Sequence, residues 1–433
     1  MYCQLEVLRH CFPSSVPRIL EELPDSLDET YERILREIKK PNQGHAHRLL
    51  QCLVAAVRPL QVKELAEILA FNFNTDGIPT LNLGWRWEDQ EEAVTSACSS
   101  LVMIVKNGDS QVVQFSHFSV KEFLTADRLA EPIRDVSRYH IRLEAAHTIL
   151  VRACLGVLLQ LDNQIDRDSV KSFPLALYAA QYWPTHARME KVSSRIKEGM
   201  ERLFDADKPH IATWLWIYNE DKYQWLRSMP TMRPEKTDAV PLYYAARLGF
   251  RELAEYLIAK HPEHVNARGG VEETSIHVAA LEGHSDILSL LIEHGADVNG
   301  RGRNSNTPLL QASAKANLEA GQMLLNHGAD IEARNNFKNT ALIRAAARSH
   351  AEFARMLLER GAMIDARGGD GKTSFHLAVE NGRTEVVRLL LECGADTDLR
   401  DNNGDTPSEL GSKRERHEIV ELLSCFDASS VKK

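Results

Sequence analysis

The chain has 433 residues, of which 43% are hydrophobic and 26% are charged, as in ordinary globular proteins. Its formal net charge is -9, and neither half is basic, which argues against a general nucleic-acid-binding surface. No apolar run approaches the roughly 18 residues of a membrane helix, and the start MYCQLEVLRHC is unlike a signal peptide. We therefore expect a cytoplasmic protein with neither membrane nor nucleic-acid partners. The seven scattered cysteines contain no CxxC pair, which indicates reduced thiols and no metal site.

The first predicted domain spans residues 17–130, after a remnant of a preceding helical segment at 1–16. SLDETYERILREI predicts a helix that Ser26 caps, with Glu29 at the capping-box spacing. Further helices are predicted at HAHRLLQCLVAAV, RPLQVKELAEILAF, EEAVTSACSSL and HFSVKEFLTADRL. Before the last of these, LVMIV and QVVQF flank NGDS as a hairpin. Helices with a small hairpin wing predict a winged-helix domain. Its third helix, KELAEILAF, carries one Lys against two Glu, which favours structural coupling over DNA binding.

Four phrases of this region occur in a recognisable order: YCQLEVLRHC, ELPDSLDETYERIL, RPLQVKELAEILA and VQFSHFSVKEFL. Over residues 1–235 they resemble the winged helix that follows the NACHT ATPase core in fungal NACHT–ankyrin proteins, which belong to the STAND class of signalling ATPases. The same winged helix carries the GPI inositol-deacylase name, which implies no deacylase activity here. The resemblance implies an ATPase core upstream of YCQL. This sequence begins at that phrase, so we expect the core to be missing, through natural shortening or an incomplete gene model.

His117 begins the helix after the wing. By the same resemblance it matches the His of the Met-His-Asp motif, which senses the phosphate of a bound nucleotide. The alternative is a capping or buried histidine at a helix start. We favour the alternative and treat His117 as a vestigial nucleotide-sensor position.

Residues 131–236 are predicted to form a helical linker bundle. Four tryptophans occur in it: Trp183, Trp214, Trp216 and Trp225. Core packing between helices explains such a cluster better than an aromatic-binding pocket does.

The last part of the chain is repetitive with a period of 33 residues. Thr274, Thr307, Thr340, Thr373 and Thr406 each open a short helix, and Gly295, Gly328, Gly361 and Gly394 each follow a second one. The phrases TPLLQASA and LLIEHGADVN carry a resemblance to the ankyrin repeat, which implies an α-solenoid. We predict a mainly α chain that ends in about six repeats over 237–427 and a polar tail at 428–433. The approximate repeat boundaries are 237–269, 270–302, 303–335, 336–368, 369–401 and 402–427.

ARGGDGKT, residues 366–373, misses the phosphate-binding loop G-x-x-x-x-G-K-[ST] by its first glycine. It aligns with GRGRNSNT, ARNNFKNT and LRDNNGDT, the turns between other repeats, so we interpret it as a repeat finger. No nucleophile–base set or metal-ligand spacing stands out elsewhere. We therefore expect no enzymatic activity, no cofactor and no metal.

The ankyrin resemblance implies that partners dock on the fingers and on the first helix of each repeat. One row on those helices is mostly basic: Glu282, Lys315, Arg348, Asn381 and Arg414. Phe337 lies at a fingertip, where it is a plausible apolar anchor. A second row, from Arg268 to Arg400, is expected to be tied to acidic neighbours. We predict a protein partner with an acidic, partly apolar face. The predicted contact residues are Arg303, Lys315, Phe337, Arg348, Lys372 and Arg414. The predicted function is a non-catalytic scaffold or sensor fragment, and the alternative is the recognition part of a STAND NTPase.

Overall fold

The computed structural model describes residues 26–74, 77–108, 110–131, 134–161, 165–222, 240–270 and 272–430. The predicted remnant at 1–16 and the last three residues of the predicted tail lie outside this range, as does Trp225. The chain divides into two compact units, residues 1–237 and 238–433.

The first unit begins with a winged-helix arrangement, as predicted. Its helices are α1 (Leu27–Glu37), α2 (Gln43–Ala55), α3 (Val62–Leu69), α4 (Gln90–Cys98) and α5 (Phe118–Thr125). Its strands are β1 (Leu60–Gln61), β2 (Phe71–Asn72), β3 (Thr80–Leu81), β4 (Val102–Asn107) and β5 (Ser110–Phe115). The antiparallel sheet has the order β1-β5-β4, so the predicted hairpin forms the wing. Strands β2 and β3 pair separately.

The predicted cap of α1 is present. The hydroxyl of Ser26 accepts a hydrogen bond of 3.2 Å from the backbone N–H of Glu29, which satisfies one of the free donors of the first turn. Tyr31, Ile34 and Leu35 are buried at helical spacing on one face of α1. The local sequence therefore determines both where this helix starts and which side it buries.

Helix α3 differs from the sequence expectation in one respect. Its two acidic residues, Glu64 and Glu67, are buried and do not lie on a solvent face. Glu64 is paired with Arg58 at 2.6 Å. Glu67 is paired with Arg86 and accepts a hydrogen bond of 2.7 Å from the backbone N–H of Leu175. Within α3 only Lys63 is exposed, so the helix offers little surface to a DNA groove.

The rest of the first unit is a helical bundle, as predicted. Its helices are α6 (Leu143–Leu158), α7 (Arg167–Lys171), α8 (Ala176–Ala187), α9 (Val192–Arg195), α10 (Lys197–Leu203) and α11 (His210–Lys222). Trp183 and Trp214 are buried with their ring centroids 5.7 Å apart, and the indole N–H of Trp214 donates to the carbonyl of Ala180 at 2.9 Å. These two tryptophans are core residues.

The described part of the second unit, residues 240–270 and 272–430, contains six consecutive helix pairs. The pairs are α12 (Pro241–Leu248) and α13 (Arg251–Lys260), α14 (Ser275–Glu282) and α15 (Ser285–Glu293), α16 (Pro308–Lys315) and α17 (Leu318–Asn326), α18 (Ala341–Ala347) and α19 (Ala351–Glu359), α20 (Ser374–Glu380) and α21 (Thr384–Glu392), and α22 (Pro407–Lys413) and α23 (His417–Ser430). Two short strands, β6 (Arg268–Gly269) and β7 (Glu273–Thr274), pair in one connection.

The repeated threonines and glycines act as the period predicts. The hydroxyls of Thr307, Thr340, Thr373 and Thr406 each accept a backbone N–H three residues on, which caps the first helix of the pair. Gly295, Gly328, Gly361 and Gly394 have φ of 82°, 85°, 89° and 82°, the left-handed conformation that ends the second helix.

Candidate protein-binding surface

The fingers between repeats are joined by a row of arginines. Arg268 donates to the carbonyl of Arg301 at 3.0 Å, and Arg301 donates to that of Arg334 at 2.8 Å. Arg334 and Arg367 continue the pattern to the next repeat. The expectation of acidic partners is wrong for these four side chains, because they bind backbone carbonyls of the following finger. The row therefore holds the repeats in register.

ARGGDGKT forms a finger, as predicted. The backbone N–H of Gly368 donates to the carbonyl of Lys372 at 2.8 Å, which closes a tight turn, and Gly371 has φ of 77°. The side chain of Lys372 is only 12% exposed, and its Nζ lies 2.7 Å from a carboxylate oxygen of Glu380. Lys372 thus ties its finger to α20 and presents little charge to a partner.

Two members of the basic row are also neutralised by ion pairs between neighbouring repeats. The Nζ of Lys315 lies 2.7 Å from Glu282, and Nη2 of Arg414 lies 2.8 Å from Glu380. Burial alone would raise the pKa of Glu380, but hydrogen bonds from Lys372 and Arg414 hold it below its usual range. Most of the charge predicted for this row is therefore compensated within the protein.

Arg348 and Phe337 are brought together. Both line a cavity of about 270 Å³ formed by the fingers that lead into α16 and α18 together with residues of the first helices α18 and α20. Phe337 is 60% exposed, and its backbone is fixed by a hydrogen bond of 3.0 Å from its N–H to Oδ1 of Asn335. Arg303 is exposed next to Asn304, which lines the same cavity.

Sequence reasoning missed a third basic or aromatic residue of the cavity, Arg344. Positions equivalent to Arg344 in other repeats hold Val278, Gln311, Leu377 and Leu410. A charged residue in a mostly apolar or uncharged row was the signal that could have found it. Its Nη1 donates to Oδ1 of Asn306 at 3.0 Å, and Nδ2 of Asn335 donates to the same oxygen at 3.0 Å.

His117 is the N-cap of α5 and is exposed. Its Nδ1 accepts a hydrogen bond from the backbone N–H of Ser119 at 3.3 Å and lies 2.6 Å from the hydroxyl of the same residue. The capping alternative describes this geometry, whereas burial does not. A role in sensing nucleotide stays untested.

A cluster of three side chains that the sequence did not suggest lies in the turn after α13, at the end of the first helix pair. Ligand-type atoms of His261, Glu263 and His264 lie within 4.8 Å of one another, a donor set that Zn²⁺ accepts. The Nδ1 of His261 is 3.2 Å from a carboxylate oxygen of Glu263. This contact serves as a hydrogen bond within the turn. The HPEH spacing was its only sequence signal.

Known proteins resemble both units. Residues 31–133 match the family described as the winged helix domain of GPI inositol-deacylase. Five overlapping segments between residues 219 and 432 match the family described as ankyrin repeats. A relative from Monascus ruber, the azaphilone pigments biosynthesis cluster protein L, is 32% identical over 289 residues, which is 63% of this chain and 60% of the relative. Within the described residues, no helix combines the length and apolar composition needed to cross a bilayer. The chain thus contains a winged-helix domain of the GPI inositol-deacylase type followed by an array of ankyrin repeats.

Proposed function

We propose that this chain is a non-catalytic scaffold or sensor fragment that binds a protein partner through the fingers and first helices of its ankyrin repeats. The observation that carries the proposal is the joint exposure of Phe337 and Arg348 on one cavity. An exposed aromatic side chain beside an arginine is a typical anchor in protein interfaces. The partner face that fits is acidic and partly apolar.

The docking face that we propose is narrower than the six predicted residues suggested. Lys315, Lys372 and Arg414 already have carboxylate partners, so removing them would disturb contacts between repeats. Arg303, Phe337 and Arg348 are exposed and are the residues that we propose contact the partner.

Capture of binding proteins from a lysate of the source cells tests the proposal. The bait is the full chain, and the test variant combines Arg303→Glu, Phe337→Ala and Arg348→Glu. A matched control reverses two exposed arginines on the second helices, Arg355→Glu and Arg388→Glu. We expect the test variant to lose specific partners that the wild type and the control retain. Retention of every partner by the test variant would place the binding site elsewhere.

The winged helix supports a second candidate function. In the STAND ATPases that residues 1–235 resemble, this domain couples a nucleotide-binding core to a recognition array. The match at residues 31–133 supports the winged helix itself. We infer that, in such an architecture, this chain would be the C-terminal regulatory and recognition part. A phosphate loop encoded in frame upstream would establish that candidate, and a stop codon directly upstream would remove it.

A further inference from the structure

The cavity beside Phe337 is lined mainly by hydrogen-bonding groups. Four asparagines and two arginines, Arg344 and Arg348, surround it. Asn306 and Asn335 are buried and joined to each other by a hydrogen bond of 3.0 Å, so the polar wall is held in place. Binding pockets use a small number of precisely placed polar groups to orient a ligand, and this wall supplies such groups.

The two arginines have no carboxylate partner among the described residues. Arg344 donates to Asn306, and Nη1 of Arg348 donates to the backbone carbonyl of Ala314 at 2.7 Å. These hydrogen-bond acceptors are neutral, and the charge of Glu273 offsets part of the positive charge of Arg344. Lys315 and Arg414, in the same row as Arg348, are by contrast each paired with a glutamate.

The pKa of Arg344 reflects the lack of a carboxylate partner for Arg344 and Arg348 in the described part of the chain. Burial lowers the pKa of Arg344, and the neighbouring charge of Arg348 lowers it further. Glu273 opposes this effect, but burial raises the pKa of its own carboxyl group, which is already hydrogen-bonded to Gln311. An anion that entered the cavity would relieve the repulsion between the two guanidinium groups.

The fingers that form the cavity share a left-handed backbone position with the other fingers of the array. Ser305 and Lys338 have φ of 56° and 58°, although the equivalent positions in later repeats are Gly371 and Gly404. A left-handed conformation costs a non-glycine residue roughly 1–2 kcal/mol. Glu272, the equivalent residue of the preceding finger, has φ of 64° and does not line the cavity, so the left-handed turn belongs to the repeat as a whole.

We propose that this cavity binds the carboxylate side chain of an Asp or Glu in an extended segment of the partner, with an adjacent apolar side chain on Phe337. The proposal rests on the proposed function and names the chemistry of its ligand. Planar guanidinium groups match a carboxylate in geometry and charge. A volume of about 270 Å³ suits one side chain. Residues 238–433 carry 23 basic against 29 acidic residues, so the array as a whole repels an extended polyanion such as nucleic acid.

Selection from a display library of random short peptides on the full chain tests the assignment. We expect enrichment of peptides with Asp or Glu next to an apolar residue. A selected peptide, labelled with fluorescein, is then titrated against the wild type and against Arg344→Gln, Arg348→Gln and Phe337→Ala. Each variant should bind about tenfold more weakly or worse. Arg355→Gln, at an exposed site on α19 outside the cavity, is the matched control and should bind as the wild type does.

A second arm needs no change in the protein and is independent of variant folding. Replacing the acidic residue of the peptide with Asn should reduce the affinity by about tenfold, and replacing it with phosphoserine should give no gain. Tighter binding of the phosphoserine peptide would overturn the carboxylate assignment in favour of phosphate. The assignment would also be overturned if the selected peptides lacked an acidic residue. It would be overturned equally if they bound the cavity variants as tightly as the wild type. Failure to select any peptide would count against the cavity, whereas the capture experiment decides the scaffold function separately.

Discussion

The guanidinium group of Arg301 donates a hydrogen bond of 2.8 Å to the backbone carbonyl of Arg334, which lies 33 residues further along the chain. The same contact recurs from finger to finger, so one side chain per repeat links each turn to the next. In a solenoid each repeat contacts only its neighbours, and such links contribute directly to the interface between repeats.

Loss of one link should weaken the array. Arg301→Ala should lower the free energy of unfolding by about 1 kcal/mol, the usual contribution of one hydrogen bond. All six tryptophans lie before residue 238, so a circular-dichroism transition without a change in tryptophan fluorescence reports on the repeats. Arg355→Ala, at an exposed site on α19 without such a link, is the control and should change stability by less than about 0.5 kcal/mol. Equal losses in both variants would show that the link contributes nothing specific.

A β-branched residue in place of the glycine after α17 should destabilise the repeats. Gly328 has φ of 85°, and a Cβ atom added there would meet no heavy atom within 4 Å, so any cost comes from the backbone alone. Gly328→Val should lower the free energy of unfolding of the repeats by about 1–2 kcal/mol. Gly44→Ala, in equally open space within α2, should instead stabilise its unit by up to about 1 kcal/mol. An unchanged thermal midpoint for Gly328→Val would contradict the left-handed conformation.

One substitution should stabilise the cap at the end of α16. Ala316 has φ of 57° where Gly283 and Gly382 occupy the equivalent caps of other repeats. Ala316→Gly should raise the free energy of unfolding by about 0.5 kcal/mol, because relief of the left-handed strain exceeds the entropy gained by the unfolded chain. Ala314→Gly, two residues earlier within the helix, should lower it by about 1 kcal/mol. Denaturant titration of the two variants measures the difference in sign.

Acid should destabilise the first unit through His186. This histidine is fully buried, with its Nδ1 2.8 Å from Nδ1 of His147 and its Nε2 2.9 Å from the hydroxyl of Tyr178. Burial lowers the pKa of His186 from 6.5 to about 3. Between these values the unfolded chain binds the extra proton, so stability is present above the unfolded pKa and is lost as the pH falls below it.

The loss should amount to about 1 kcal/mol from about pH 7 to about pH 5.5. Tryptophan fluorescence during denaturant unfolding measures it for this unit, because every tryptophan of the chain lies there. His186→Gln removes the titrating group and should flatten the dependence. The pKa of His147 is also lowered by burial, so some dependence should remain in that variant. An identical slope with and without His186 would assign the acid sensitivity to other groups.

The sequence alone determined the local and repeating features. A period of 33 residues, threonine caps and glycines with positive φ specify the ankyrin array, because each depends on backbone preferences within a few residues. The Ser26 cap of α1 and the hairpin at NGDS were predicted for the same reason, and the finger interpretation of ARGGDGKT followed from its place in the period.

Only the tertiary structure decided which charges remain free. Lys315, Lys372 and Arg414 looked available in the sequence, but Glu282 and Glu380 pair with them across or within repeats. Arg344 stood out only as a charged residue in a mostly uncharged row, yet it lies beside Arg348, and the hydrogen-bond acceptors of both are neutral. Pairing and burial depend on side chains from neighbouring repeats and on their rotamers, which a linear pattern does not specify. That is why the sequence predicted a docking face on the fingers and first helices, whereas the structure was needed to show the cavity among them.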